Sequence, residues 1–270
     1  MPDGGLPVVA GQVPALLQEL AGAVALGIPV ALATVVEAHR STPRRPGAKM
    51  LVGRDGGIAG TIGGGELERR VVEEARAALA DGRPRMLHYD LVDRGRGDPG
   101  VCGGEVTVYV EPYRPPATVL VVGCGHVGRA VAALAHWVGF RVVVTDDRAE
   151  LMTAEGVPGA DVLVAGPVDD ALREVDGRTH VVVVTRDQSV DAAVLPALVA
   201  SGARSIGVIG SHRRWRTTRD QLLAVGVPAR ELDRVRSPIG VELQAETPEE
   251  IAVSIVAELV ALERGGDAVP

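Results

Sequence analysis

The sequence predicts two domains: an N-terminal α+β domain over residues 1–115, then a C-terminal doubly wound α/β domain on a parallel sheet over residues 116–270. Three observations carry this. From residue 118 onward, strand-like and helix-like stretches alternate, the pattern of βαβ units with right-handed crossovers. The strands expected there, such as VLVV, VVVT and VVVVT, are continuous valine-rich runs, as a parallel sheet covered on both faces requires. Between the halves, Pro112-Tyr113-Arg114-Pro115-Pro116 reads as a linker.

In the front half, residues 12–26 carry apolar positions at helical intervals and residues 29–38 switch to a β-rich run. The loop His39 to Gly47, HRSTPRRPG, leads into two short strands around AKMLV and GIAGTI. After the triplet Gly63-Gly64-Gly65, ELERRVVEEARAALADG reads as a helix stopped by Gly82 and Pro84, with Glu66 and Glu68 early, where the helix dipole favours negative charge. RMLHYDL and EVTVYVEPY read as strands flanking an irregular segment, Asp93 to Gly104. In the back half, strands are expected at 118–122, 141–145, near 161–165, 180–185 and 204–209, with helices at 126–138, 190–200 and 248–263.

Composition narrows function. At 270 residues and 46% hydrophobic, the chain can bury sizeable cores. A net charge of −7 and a pI near 5.4 argue against a nucleic-acid or anionic-membrane surface, which needs clustered Lys and Arg. Aromatic residues make up 2%, so base stacking is not a major recognition mode. No run of eighteen apolar residues and no basic start with an apolar block occurs, so a cytoplasmic location is expected. Cys102 and Cys124 are too few for a disulfide scaffold or a cysteine zinc site, so either acts as a thiol if it acts at all.

The most specific local motif is Gly123-Cys124-Gly125-His126-Val127-Gly128, directly after the strand VLVV and directly before a helix, with Asp146 closing the next strand about 20 residues on. This is the Rossmann-like fingerprint. Gly123 permits the tight turn, Gly125 lets a pyrophosphate approach the backbone and Gly128 packs helix on strand, while the helix amides face the anion. His126 and Val127 complete the candidate binding turn; the side chains of Cys124 and His126 read as packing and capping groups. Asp146 is expected to accept a ribose diol and repel a 2′-phosphate, favouring NAD(H) over NADP(H). Hydride transfer also needs an acid or base beside the nicotinamide. No convincing set exists: His180 lies beside an apolar strand, and His212 stands in SHRRWR. A cofactor-binding protein without turnover therefore competes with an NAD-dependent oxidoreductase acting on a small substrate, and with a nucleotide-sensing regulator.

Several further segments are distinctive: Ser41-Thr42-Pro43-Arg44-Arg45-Pro46-Gly47-Ala48-Lys49-Met50, Gly60-Thr61-Ile62-Gly63-Gly64-Gly65-Glu66-Leu67-Glu68, and Val101-Cys102-Gly103-Gly104. With the fingerprint, Ile206-Gly207-Val208-Ile209-Gly210-Ser211, and Pro238-Ile239-Gly240 followed by Ala245-Glu246-Thr247-Pro248-Glu249-Glu250-Ile251-Ala252, they occur in an order that resembles the xanthine dehydrogenase accessory protein family, XdhC/CoxI, over nearly the whole chain. The resemblance implies an accessory protein, a cofactor chaperone rather than an enzyme, that receives molybdenum cofactor (molybdopterin), protects it, supports exchange of an oxo for a sulfido ligand and hands it to a molybdenum hydroxylase such as xanthine dehydrogenase. A cysteine desulfurase is an implied second partner, and a homodimer would let neighbouring chains enclose a large cofactor. On this reading Arg44, Arg45, Lys49 and Gly63, Gly64 and Gly65 hold the cofactor's phosphate or nucleotide, at a cleft between the two domains. Cys102 is the thiolate for molybdenum or sulfur, both as catalytic group and as metal ligand. Two positions depart from the family: Glu66 stands where many relatives carry a cysteine, and Gln188 where relatives often have histidine, which weakens a two-thiol mechanism and acid–base chemistry in the second domain.

Overall fold

The computed structural model describes residues 12–40, 42–90 and 104–265. The chain forms two compact units, Met1–Pro115 and Pro116–Pro270.

Among the described residues, the first unit holds α1 (Gln12–Ala25), β1 (Val30–His39), β2 (Lys49–Gly53), β3 (Ile58–Gly60), α2 (Gly65–Asp81), β4 (Arg85–Asp90) and β5 (Glu105–Tyr113). The strands form one antiparallel sheet in the order β3-β2-β1-β5-β4. Side chains alternate across a strand, and here both faces are used. Ala31, Ala33, Val35, Met50 and Val52 pack on Leu67, Val71, Ala75 and Ala78 of α2. Val30, Leu32 and Leu51 face Leu16 and Leu20 of α1. Gly82 ends α2 in the left-handed conformation (φ 74°), its N–H donating to the carbonyl of Ala78, the stop that Gly82 and Pro84 lead one to expect.

The second unit holds β6 (Thr118–Val122), α3 (His126–Val138), β7 (Arg141–Asp146), β8 (Val162–Ala165), β9 (Thr179–Val183), α4 (Gln188–Ala200), β10 (Ser205–Val208), α5 (His212–Ala224), α6 (Ala229–Leu232), β11 (Val235–Arg236) and α7 (Pro248–Glu263). Its sheet is parallel throughout, ordered β11-β10-β9-β6-β7-β8. The strand order thus reverses between β6 and β9, the switch point at which doubly wound sheets open a crevice at their carboxyl ends. Val119, Val121, Val142, Val144 and Val182 pack on α3 and α7. Leu120, Val122, Val143, Val181 and Val183 pack on α4, α5 and the 3-10 turns of residues 168–174. Burial on both faces is why these strands read as unbroken apolar runs.

The helix α5 was visible in the sequence only as its basic start. Among its residues only Thr218 and Leu222 are buried, so its apolar period is faint, and the cap of Ser211 on the amide of Arg214 marks where it begins. β11 spans two residues, too few for any period.

The back-half motifs outside the fingerprint have structural explanations. Thr247 and Glu250 form a reciprocal capping box that starts α7. Gly240 (φ 107°) donates its N–H to Glu258 at 2.6 Å, and a Cβ there would lie 2.2 Å from Ser254 Oγ. A Cβ on Gly207 would lie 2.1 Å from Ile239. The two glycine-bearing motifs thus meet each other, and Gly207→Ala is expected to lower stability by about 1–3 kcal/mol through overpacking; an unchanged urea midpoint would refute that contact.

Candidate dinucleotide-binding site

The fingerprint turn divides its glycines between folding and space for a ligand. Gly123 (φ 112°) leaves β6 in a conformation that favours glycine, and a Cβ there would lie 2.7 Å from the carbonyl oxygen of Val184. A Cβ on Gly128 would lie 1.9 Å from the carbonyl oxygen of Gly123, so α3 crosses the turn at a distance that only glycine permits. Gly125, the N-cap of α3 at φ −78°, has nothing within 4 Å of an added Cβ. Open space therefore meets the positive end of the helix at Gly125, where an anion is favoured. His126 opens the helix as an exposed residue, and Val127 packs against the α3–α7 core. Cys124 is buried, its Sγ 3.7 Å from the carbonyl oxygen of Leu151, which fits packing rather than reactivity.

Asp146 closes β7 beside this turn. Oδ2 accepts from the N–H of Cys124 at 2.6 Å and from Arg148 Nη2 at 2.8 Å; Oδ1 accepts from the N–H and Nε of Arg148, each at 2.9 Å. Burial alone would raise its pKa. The bonds from Arg148 and Cys124 outweigh that and hold the carboxyl well below its usual range. The sequence places Asp146 where a ribose diol is expected; in the structure its oxygens brace the turn and hold a guanidinium.

Beside them lies a crevice of about 390 Å³ at the carboxyl ends of the strands, lined by Gly123, Asp146, Asp147, Arg148 and Arg186, with an apolar wall that includes Val168 and Val194. That volume falls in the usual range for small-molecule sites. Arg186 Nη1 and Nη2 donate to Asp147 Oδ1 and Oδ2 at 2.9 and 3.0 Å, linking the loop after β9 to the end of β7. That bidentate pairing keeps Asp147 ionised below its ordinary pKa. Below it, Asp191, fully buried, accepts from Thr185 and from Arg214 Nε at 2.8 Å, fixing α5 against α4. His180, the other histidine weighed, is buried within β9 between Ser205 and Glu263. Asp147, Arg148 and Arg186 were not singled out in the sequence, although the doubled acid and two arginines at strand ends are a readable signal.

In the first unit, Glu68 Oε1 accepts from Thr61 Oγ1 at 2.6 Å and from the amides of Ile62, Gly63 and Gly64 at 3.1, 3.3 and 2.9 Å. Burial works to raise its pKa, but these donors prevail and hold it low. The amides of Gly63 and Gly64 therefore already hold a carboxylate, which a phosphate would have to displace. Arg44 and Arg45 are exposed, whereas Lys49 is half-buried and donates to Thr34 Oγ1 at 3.0 Å. Arg44, Lys49 and Thr61 share a hollow of about 120 Å³; Arg45 is not among its lining residues. Glu66, the family departure, is held at a pKa of about 2 by Arg69 and Arg70. Cys102, with Val101 and Gly103, lies outside the described residues. Among the described residues no group of three or more His, Cys, Asp or Glu side chains could hold a metal, and no helix is long and apolar enough to cross a membrane.

Residues 119–259 match the XdhC Rossmann domain and residues 23–90 the XdhC and CoxI family. The chain belongs to the XdhC and CoxI family. It is 35% identical over 234 residues to the Escherichia coli K12 protein YqeB, covering 86% of this chain but 43% of that one, so it spans less than half of that relative's length. It is 25% identical over 269 residues to the E. coli K12 molybdenum cofactor insertion chaperone PaoD, covering 86% of this chain and 82% of that one. A solved Bacillus halodurans protein described as a xanthine dehydrogenase aligns with a TM-score of 0.51 at 26% identity, over 94% of this chain and 96% of that one.

For this XdhC-family chain, Gly125→Ala is expected to stay within about 0.5 kcal/mol of the parent in stability, whereas Gly128→Ala loses about 1–3 kcal/mol or more; equal unfolding midpoints for the two variants would contradict the division of roles. Because Asp146 titrates lower folded than its ordinary 3.8, its stabilisation is complete above about pH 4 and is lost as pH falls toward the folded value. Asp146→Asn should therefore be less stable than the parent at pH 7, with the gap narrowing below pH 4; a pH-independent gap would argue against this linkage.

Proposed function

We propose that this protein is an accessory factor that binds and protects molybdenum cofactor, supports its sulfuration and passes it to a molybdenum hydroxylase such as xanthine dehydrogenase, while its second unit binds a dinucleotide, NAD(H). The observation that carries the first part is the similarity to a molybdenum cofactor insertion chaperone over 82% of that protein's length. The second part rests on the open helix N-terminus at Gly125, two residues after Gly123, which lines the crevice at the carboxyl ends of the strands. The polar groups around that crevice are carboxylates, guanidiniums and hydroxyls, a set suited to orienting a bound nucleotide.

The residues fit one end of the pterin cofactor. The hollow in the first unit is small for a whole pterin but has a guanidinium, an ammonium and a hydroxyl at its walls, which suit a phosphate group. Arg44 and Lys49 would hold that phosphate, with Arg45 adding long-range attraction and the Gly63–Gly65 turn contributing amides once Glu68 yields. When bound, the cofactor supplies the molybdenum centre and its exchangeable sulfido ligand, and Cys102 is the side chain assigned to that end. A cysteine desulfurase as sulfur donor and a homodimeric, cytoplasmic protein complete the reading.

The test is direct binding of isolated molybdenum cofactor to the full chain, with replacement of Arg44, Arg45 and Lys49 together by alanine. At roughly 1.5 kcal/mol per lost charge-assisted contact, binding should weaken by about 3 kcal/mol or more, with NAD(H) affinity little changed. Parent-like cofactor affinity in the triple variant would remove the phosphate site. A parent that binds no cofactor yet oxidises a small substrate with NAD would overturn the accessory role.

A further inference from the structure

We propose that Asp147, rather than Asp146, recognises the adenine ribose diol of a bound dinucleotide, with Arg186 as the residue that positions it; this rests on the dinucleotide reading of the second unit. The argument is one of acceptor capacity. An ionised carboxylate offers about four lone-pair sites. On Asp146 four bonds occupy them, three from Arg148 and one from the amide of Cys124, and the side chain is 3% exposed. A diol could reach those oxygens only by expelling the Arg148 guanidinium or by breaking the bond that braces the fingerprint turn, the element needed to hold the pyrophosphate.

Asp147 is the next residue, is 58% exposed and lines the same crevice. Among the described residues its only donors are the two nitrogens of Arg186, one on each oxygen. Although its carboxyl lies against that of Asp146, whose charge works to raise its pKa, it has two fewer donors than Asp146 and so keeps acceptor capacity. Two adjacent hydroxyls present two donors, matching those two oxygens. Arg186 gives the carboxylate one orientation across the end of the sheet and keeps it charged. The same placement selects against a 2′-phosphate. That group would meet Asp146, Asp147 and Asp169 among the lining residues, while Arg148 and Arg186 are already paired with two of those acids.

The experiment titrates NADH and NADPH into the full chain by fluorescence, for the parent, Asp147→Asn, Asp147→Glu and Asp146→Asn, with thermal melting of each. Asp147→Asn keeps the size of the side chain and removes its charge. It should weaken NADH binding about tenfold and shrink the preference for NADH over NADPH, with an unchanged melting temperature. Asp147→Glu, which keeps the charge one methylene further out, should fall between. Asp146→Asn should lower the melting temperature and weaken both nucleotides together. If the parent binds NADH and Asp147→Asn leaves affinity and preference unaltered, the assignment is wrong. It is equally wrong if Asp146→Asn erases the preference without a change in melting. A parent that binds neither nucleotide would end the dinucleotide reading itself, and this assignment with it.

Discussion

Asp146 is a charged group taken almost wholly out of water at the end of β7, and it is tolerable there only because four donors meet it. One of those donors is the amide of Cys124, in the middle of the glycine turn, so the same bond that satisfies the carboxylate also ties the end of β7 to the turn between β6 and α3. The direction of α3, the close crossing at Gly128 and the open space at Gly125 follow from that tie. Asp147, one residue further on, lines the same crevice as Asp146 but stays exposed, paired with Arg186.

The first unit uses the same device with a different acid. Glu68, one turn into α2, sends its carboxylate back over the Thr61–Gly64 segment and collects a hydroxyl and three amides on one oxygen. Each unit therefore contains a glycine turn organised around an internal anion. At Asp146 the anion lies behind the turn and leaves Gly125 open; at Glu68 it lies within the turn and occupies the amides that an external anion would use. The two glycine motifs look alike on paper and present opposite surfaces.

Much of the architecture was legible because burial writes itself into periodicity. The valine runs at 119–122 and 142–144 are buried on both faces, the alternating 30–35 run serves two different helices, and Gly82 and the Thr247–Glu250 box mark helix ends by local chemistry alone. The elements that escaped, α5, α6 and β11, bury too little or are too short to leave a period. The motifs around Gly207 and Gly240 were legible as unusual but not as partners, because the contact between Gly207 and Ile239 joins positions far apart in the chain.

The sequence by itself determined the family, the order of the two folds and the place of the glycine-rich turn between β6 and α3, since each depends on residue types at fixed local spacing. It could not determine how two adjacent carboxylates come to differ in burial and in bonding. Asp146 and Asp147 are adjacent and chemically identical; Asp146 is buried under bonds from Arg148, two residues on, and Cys124, 22 residues away, whereas Asp147 stays exposed and pairs with Arg186, 39 residues away. The same holds for Glu68, whose role depends on a turn that precedes its own helix. Hydrogen-bond capacity is allotted by tertiary contacts, and only the folded chain decides which polar groups have any left to offer.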